Sequence, residues 1–202
     1  MHTGGVVLCG GRSSRMGRPK AWLPFGNEVM LQRVVRVLRE VVEPVVVVAA
    51  PGQDVPELGS EVQVVRDEIE GRGPLGGLAA GLAALQGKAD AMYVSSCDVP
   101  FLKPEFVRRV ISLCGEASIC VPHTDGHYHP LAAVYRVLVL AQVQALLAAN
   151  RLRTASLFET VLTRSIEPHE LTDIDPDLHS LRNVNTPEEY EAAMRELAKQ
   201  AE

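Results

Sequence analysis

Apolar residues fall along this chain in short blocks separated by turn-forming and charged stretches. Val6–Cys9 is a short apolar run that enters a glycine-rich stretch. Between Asn27 and Val42 apolar residues recur at 30, 34, 37, 38 and 41, the spacing of one helix face. Val45–Ala50 is apolar throughout and mostly β-branched, as strands buried on both faces are. Val62–Arg66 reads as another short strand. Gly73-Pro74 opens a run of small residues to Gln86, and proline at a first helical position marks a helix start there. Ala91–Ser96 reads as a strand, Pro104–Leu113 as a helix and Ala117–Val121 as a strand. Leu131–Tyr135 is a further candidate strand, and Val137–Ala149 a helix. Thr186-Pro-Glu-Glu189 has the form of a capping box and starts a terminal helix to about Lys199.

Strand and helix alternate through the first half. That pattern predicts an α/β fold: a Rossmann-like, three-layer α/β/α domain built on a predominantly parallel sheet. The second half alternates less regularly, so a mixed sheet is expected there. No repeat, low-complexity stretch or shift in composition divides the chain, and residues 1–202 are expected to form one domain. In open sheets of this kind ligands bind beyond the carboxyl ends of the strands, so the informative loops follow Cys9, Ala50, Arg66 and Ser96.

Composition narrows the function classes. Of 202 residues, 47% are hydrophobic and 22% charged, which excludes a disordered chain. No apolar run approaches the ~20 residues needed to span a bilayer. The first residues, Met1-His-Thr-Gly-Gly, show no basic region or cleavage pattern for export, so a cytoplasmic protein is expected. Cys9, Cys97, Cys114 and Cys120 form no CxxC pair and read as reduced thiols. The net charge of −5 argues against a nucleic-acid binder. Its distribution says more. The first acid is Glu28, and Arg12, Arg15, Arg18 and Lys20 all precede it. A focused positive patch on an acidic protein suits a small polyanion.

Those cations lie in Leu8-Cys-Gly-Gly-Arg-Ser-Ser-Arg-Met-Gly-Arg-Pro-Lys20. Gly10, Gly11 and Gly17 let a backbone approach a ligand and aim N–H groups at it, and Arg15 and Lys20 add charge at phosphate oxygens. The loop is neither a Walker A nor a GxGxxG motif. A solvated basic loop has a similar make-up, but the buried strand directly before it favours phosphate binding.

The other loops carry further candidates. Asp98 follows the strand Ala91–Ser96, where a carboxylate faces the ligand crevice; it would equally cap the turn before Pro100. Asp67 ends the strand Val62–Arg66 and competes with Glu68 and Glu70 for any role there. Gly73–Gly81 is small enough for close helix–sheet packing and for a flat base. Cys120, His123, His127 and His129 have no common zinc spacing and look like a hairpin. Asn183 and Asn185 precede the last helix, where turn formation would use them as well. Arg151 and Arg153 suit an anionic ligand or a solvated loop, and Asp173–Asp177 reads as an exposed acidic loop.

The first loop resembles the nucleotidyltransferase signature of a strand followed by Gly-Gly-x-x-x-Arg-Met-Gly-x-x-Lys. With Gly73-Pro-Leu-Gly-Gly-Leu78, Cys97-Asp-Val-Pro100, His129-Pro-Leu131 and Asn183-Val-Asn-Thr-Pro-Glu188 in the same order, the chain looks most like the molybdenum cofactor guanylyltransferases. The resemblance spans nearly the whole chain. It implies Leu8, Cys9, Gly10, Gly11, Lys20, Asp67, Gly76, Gly77 and Asp98 as nucleotide contacts, with Gly-Pro-Leu-Gly-Gly helping to form a guanine pocket. It implies Asp98 as the Mg²⁺ ligand, and His129, Asn183 and Asn185 on the acceptor side. Two departures stand out. Cys9 occupies a position where the family usually has alanine. Val45–Ala50 ends in Ala-Ala-Pro where some members carry a nucleotide-contacting asparagine, so that contact is missing or comes from elsewhere.

The expected activity is transfer of GMP from GTP to the terminal phosphate of molybdopterin or the molybdenum cofactor, with release of pyrophosphate. Arg15, Lys20 and Asp98 are the expected catalytic residues and Mg²⁺ the cofactor. Transient contact with cofactor-delivery proteins or molybdoenzymes follows from the same resemblance, and no nucleic-acid or membrane partner is expected. Two other readings stand beside it: a nucleotidyltransferase with another base or acceptor, such as a cytidylyl or sugar-phosphate enzyme, and a non-catalytic nucleotide-binding protein.

Overall fold

The computed structural model describes residues 1–10, 19–67 and 71–200. In chain order its strands are β1 (Thr3–Leu8), β2 (Pro24–Phe25), β3 (Glu28–Val29), β4 (Val45–Ala49), β5 (Gln63–Arg66), β6 (Ala91–Ser96), β7 (Ile119–Thr124), β8 (His127–Tyr128), β9 (Ala132–Arg136) and β10 (Thr163–Ile166). Its helices are α1 (Met30–Arg39), α2 (Gly73–Leu85), α3 (Pro104–Ser112), α4 (Leu140–Ala148), α5 (Ala155–Phe158) and α6 (Pro187–Gln200). The main sheet is ordered β10-β7-β9-β6-β1-β4-β5, with β8 paired to β7, and β2 and β3 form a separate pair. Along that order every pairing is parallel except the two made by β9, so the sheet is mixed as its sequence pattern implies.

The apolar strands are buried on both faces because each side chain alternates between two helical layers. Val7, Val45, Val47 and Tyr93 face α1 and α3, which contribute Leu31, Val34, Leu38, Phe106 and Val110. Val6, Leu8, Val46, Val48 and Val94 face α2 and α4, which contribute Leu75, Leu78, Leu82 and Val143. A third cluster joins Leu23, Phe25, Met30 and Phe101 to Val184 and Ala193 on and before α6. Among the described residues no helix is long and apolar enough to cross a membrane.

Several boundaries move for local reasons. The helix expected from Asn27 starts at Met30, because Gly26, at φ 68°, turns the chain so that Glu28–Val29 pairs back onto Pro24–Phe25. Val29 offers no side-chain cap; Gln32 instead reaches back to accept its backbone N–H at 3.1 Å. The segment from Val137 begins as a 3₁₀ turn and becomes α-helical at Leu140. The expected histidine hairpin is present: β7 and β8 pair antiparallel across Asp125 and Gly126, both at positive φ.

One expectation is overturned. Asp173–Asp177 is not an exposed acidic loop throughout, since the Asp175 side chain is only 1% exposed. Its Oδ1 takes the Lys103 ammonium at 2.7 Å and its Oδ2 the Ser180 N–H at 2.8 Å. Burial alone raises the Asp175 pKa, but these donors outweigh it and hold the carboxyl below its ordinary value. A lowered folded-state pKa contributes stability that is present above the unfolded value, about 3.9, and is lost as pH falls through the folded one. Denaturant midpoints should therefore drop more steeply below about pH 4 in the wild type than in Asp175→Asn. Parallel curves for the two proteins through that range would contradict this linkage.

Candidate functional site

The carboxyl ends of β1, β4, β5 and β6 open on a cleft of about 800 Å³. Leu8, Cys9 and Gly10 line it after β1, Ala50 and Pro51 after β4, Asp67 after β5, and Ser96, Cys97 and Asp98 after β6. Gly77, from the first turns of α2, lies on one wall. This is the place where a doubly wound sheet offers a ligand its loops and helix N-termini.

Asp98 is the centre of a hydrogen-bonded cluster on the cleft floor. Its residue exposure is 8%. Lys20 Nζ donates to Asp98 Oδ2 at 2.6 Å and to Asn185 Oδ1 at 2.8 Å. Asn183 Nδ2 donates to Asp98 Oδ1 at 2.7 Å and to Ser96 Oγ at 3.1 Å. The chain places both asparagines by a period-two pattern. Val184 between them is buried, and its N–H donates to the Asp98 carbonyl at 2.8 Å. Four residues expected on separate grounds are thus brought together from positions up to 165 residues apart. Ser96 belongs to this cluster although its sequence carried no motif; its place at the end of β6 is the signal that would have found it.

Asp67 reaches over the start of α2. A Cβ on Gly76 would lie 2.6 Å from Asp67 Oδ2 and 2.9 Å from Arg72 Cβ, so glycine is what lets the carboxylate sit there. A Cβ on Gly77 would meet both Leu8 δ-carbons at 3.1 Å. The first neighbour of a side chain at Gly77 is therefore Leu8 of β1, which shares the same cleft wall. Packing and ligand access act on one residue here. Gly77→Val should lose about 1–3 kcal/mol of stability from overpacking. It should also weaken nucleotide binding, because Leu8 and Gly77 both line the cleft. An unchanged thermal midpoint together with unchanged nucleotide affinity would remove Gly77 from the site.

Other expected residues sit less directly. His129 is turned onto Thr124, with Nε2 2.6 Å from its Oγ1, while Leu131, two residues on, lines the cleft. Burial, with His127 and His123 nearby, lowers the His129 pKa, so its ring is neutral at pH 7. Arg151 is half exposed and its nearest acid, Glu159, is 4.0 Å away. Gly11, Arg12, Arg15, Gly17 and Arg18 lie outside the described residues, as do Glu68 and Glu70.

Gln53 was not singled out by sequence, yet it braces the cleft. Its Oε1 accepts the Ala50 N–H at 3.1 Å and its Nε2 donates to the Cys9 carbonyl at 2.9 Å, joining the ends of β4 and β1. The two thiols on the cleft are not poised for attack. Burial pushes Cys9 up to about 11 despite the opposing charge of Arg66, and burial with the nearby Asp98 raises Cys97 as well. Both remain protonated at neutral pH.

A mostly parallel sheet between helical layers, with a cleft at its strand ends and a Lys–Asp pair on the cleft floor, has the form of a nucleotide-handling class of protein. Known proteins agree with that class. The profile of the MobA-like NTP transferase domain matches residues 5–163. A probable molybdenum cofactor guanylyltransferase from Mycobacterium avium is 37% identical, over 98% of this chain and 96% of its own length. One of the same description from Pelotomaculum thermopropionicum is 35% identical, over 91% and 87%. The crystal structure of molybdopterin-guanine dinucleotide biosynthesis protein A from Archaeoglobus fulgidus superposes with a TM-score of 0.82 at 22% identity, covering 97% of this chain and 99% of that one. The 2-C-methyl-D-erythritol 4-phosphate cytidylyltransferase of Thermus thermophilus also shares the fold, with a TM-score of 0.67 at 16% identity over 98% and 100%. The chain belongs to the MobA-like NTP transferase family and is a nucleotidyltransferase.

Proposed function

We propose that this chain transfers GMP from GTP to the terminal phosphate of molybdopterin or the molybdenum cofactor in the cytoplasm, releasing pyrophosphate. The observation that carries the reading is the cluster of Lys20, Asp98, Asn183 and Asn185 on the cleft floor. Two lines support the choice of substrates: the names of the full-length relatives, and the Gly73–Leu78 segment beside the cleft.

The chemistry follows from charge. The nucleophile is a phosphate monoester, already about −1.5 to −2 at neutral pH, and needs no general base. Protonated Cys9 and Cys97 and neutral His129 fit a reaction without a protein nucleophile. The barrier is repulsion between two anions, so positioning and fixed positive charge carry the catalysis. Lys20 holds charge at the α-phosphate and the leaving pyrophosphate, and Arg15 is assigned the same task. Leu8, Cys9 and Gly10 give the nucleotide a close backbone surface, with Gly11 assigned to the same role, and Asp67 and Gly77 line the cleft beside them, where Gly76 makes room for the Asp67 carboxylate. Asn183 and Asn185 face the acceptor, and His129, its ring turned onto Thr124, belongs to the acceptor side through the hairpin that carries it. The product would pass to delivery proteins or molybdoenzymes by transient contact.

Among the described residues no group of three His, Cys, Asp or Glu side chains is placed to hold a metal. A single buried carboxylate with the Asn185 amide oxygen nearby fits Mg²⁺, which commonly takes one or two carboxylates and fills its shell from phosphates and water. The Lys20 ammonium against Asp98 Oδ2 marks a position that favours a cation. Asp98 would hold Mg²⁺, which when bound supplies neutralisation of the nucleotide phosphates.

Competition binding with GTP, CTP and ATP, followed by mass analysis of the product formed with molybdopterin, tests the reading. Preference for GTP and a guanine dinucleotide product, with pyrophosphate released only when acceptor is present, is the expected result. A cytidine adduct, or binding without acceptor-dependent pyrophosphate, would overturn it.

A further inference from the structure

Glu189 is not among the nucleotide, metal or acceptor positions, yet it stands directly behind the Lys20–Asn185 contact. In a regular capping box, Glu189 would return its carboxylate to the N–H of the cap residue itself, Thr186. Only half of that pattern is present. Glu189 N donates to Thr186 Oγ1 at 3.2 Å, but Glu189 Oε2 accepts the N–H of Asn185, one residue earlier, at 2.6 Å. This is a short, charge-assisted bond to a residue whose side-chain oxygen receives the Lys20 ammonium.

The same helix also grips the chain that follows Lys20. Tyr190 and Ala193 of α6 pack with Leu23 and Phe25, and the Tyr190 hydroxyl donates to the Pro24 carbonyl at 2.5 Å. Leu23 N in turn donates to the Lys20 carbonyl at 3.1 Å. Lys20 and Asn185 are therefore anchored on one rigid element, which lies beyond the residues 5–163 that the family profile covers. Glu189 itself is exposed and packs into no core cluster, so its removal leaves the apolar contacts of α6 in place.

We infer that Glu189 is a positioning residue: by holding the Asn185 backbone it fixes the Lys20 ammonium against Asp98, and it makes the terminal helix part of the catalytic apparatus. This rests on the reading of Lys20 and Asp98 as working residues. The test is a double-mutant cycle of Glu189→Ala with Asn185→Ala, with Glu189→Gln as the conservative variant that keeps an acceptor oxygen. GMP transfer and the rate of reductive methylation of Lys20 in the nucleotide-free protein are both measured. Glu189→Ala should lower kcat about tenfold, with the Kd for GTP within about twofold and the thermal midpoint unchanged, while Glu189→Gln retains most of the activity. In the Asn185→Ala background Glu189→Ala should cost nothing further, because the two act through one contact. Lys20 should be methylated several-fold faster in either alanine variant than in the wild type. Additive losses, a loss that tracks the midpoint, or an unchanged kcat in Glu189→Ala would overturn the inference. The labelling reads geometry alone: if the wild-type protein transfers no GMP, the functional reading falls, whereas equal labelling of wild type and Glu189→Ala overturns the role of Glu189.

Discussion

Asp98→Asn is expected to give a folded protein that still binds GTP and turns it over about a hundred- to a thousandfold more slowly, the range seen when one charge-stabilising group is removed. The argument starts from the two carboxylate oxygens. One receives Lys20 at 2.6 Å and the other Asn183 at 2.7 Å, so both face donors. An asparagine has the same shape but one of its two terminal groups is itself a donor. In either orientation it turns an N–H towards Lys20 or towards Asn183, and it brings no negative charge for a divalent cation. The backbone bond from Val184 to the Asp98 carbonyl does not depend on the side chain, which keeps the 183–185 segment in place. Circular dichroism and the thermal midpoint check the fold, and kcat measured over a range of Mg²⁺ checks the chemistry. Near-normal turnover at ordinary Mg²⁺ would rule Asp98 out as the metal ligand.

Lys20→Ala should show two effects of opposite sign. Turnover should fall by about two to three orders of magnitude, because a fixed cation at the phosphates is lost. Divalent-metal affinity of the nucleotide-free protein should rise about tenfold. The ammonium lies on Asp98 Oδ2, on the carboxylate that would hold a metal. Two cations competing for one carboxylate about 4 Å apart repel each other by several kcal/mol at an effective dielectric constant near 20, much of it offset by solvation. Removing the ammonium removes the competitor. Titration of the nucleotide-free protein with Mn²⁺, followed calorimetrically, reads this directly. Weaker or equal Mn²⁺ binding in Lys20→Ala would mean that metal and ammonium do not share the site. Arg18→Ala should reduce turnover far less, since Arg18 precedes Pro19 and has no matching position in the signature. Equal losses from the two variants would mean that the basic segment acts as a diffuse field.

The parts of this fold that were legible were those whose pattern is local. Val45–Ala49 is uniformly apolar and Ala91–Ser96 is apolar up to its two closing serines because both faces are covered, and α2 announces itself by Gly73-Pro74 and the run of small residues to Gln86. β10 escaped notice because Thr163–Ile166 is an edge strand with a largely polar, half-buried sequence, and no run of hydrophobic residues marks it. The cleft residues were legible one at a time, as loop positions after strands, but their mutual contacts were not. Nothing near Asn185 in the sequence indicates that its partner is Lys20. Asp175 failed for the same reason: among other acids it looks solvated, and the distant Lys103, with the Ser180 N–H, makes its burial tolerable. Gln53 shows no pattern at all, since a side chain joining two strand ends leaves no periodic trace.

β9 is the one strand of the main path that runs against its neighbours, and it lies between β6 and β7. At the cleft edge it therefore presents its beginning, with Leu131 and the hairpin that leads into it, while β1, β4, β5 and β6 present their ends. The two halves of the mouth are thus interchangeable parts. Residues 125–131 bond to β7 and β9, through His129 to Thr124 and Tyr135 to the Pro130 carbonyl, and belong to a different part of the chain from the loops that carry Lys20, Asp67 and Asp98. On the function proposed above, changes in this hairpin are expected to alter acceptor choice before they alter nucleotide binding. A graft of this hairpin between relatives is the natural starting point for engineering a new dinucleotide product.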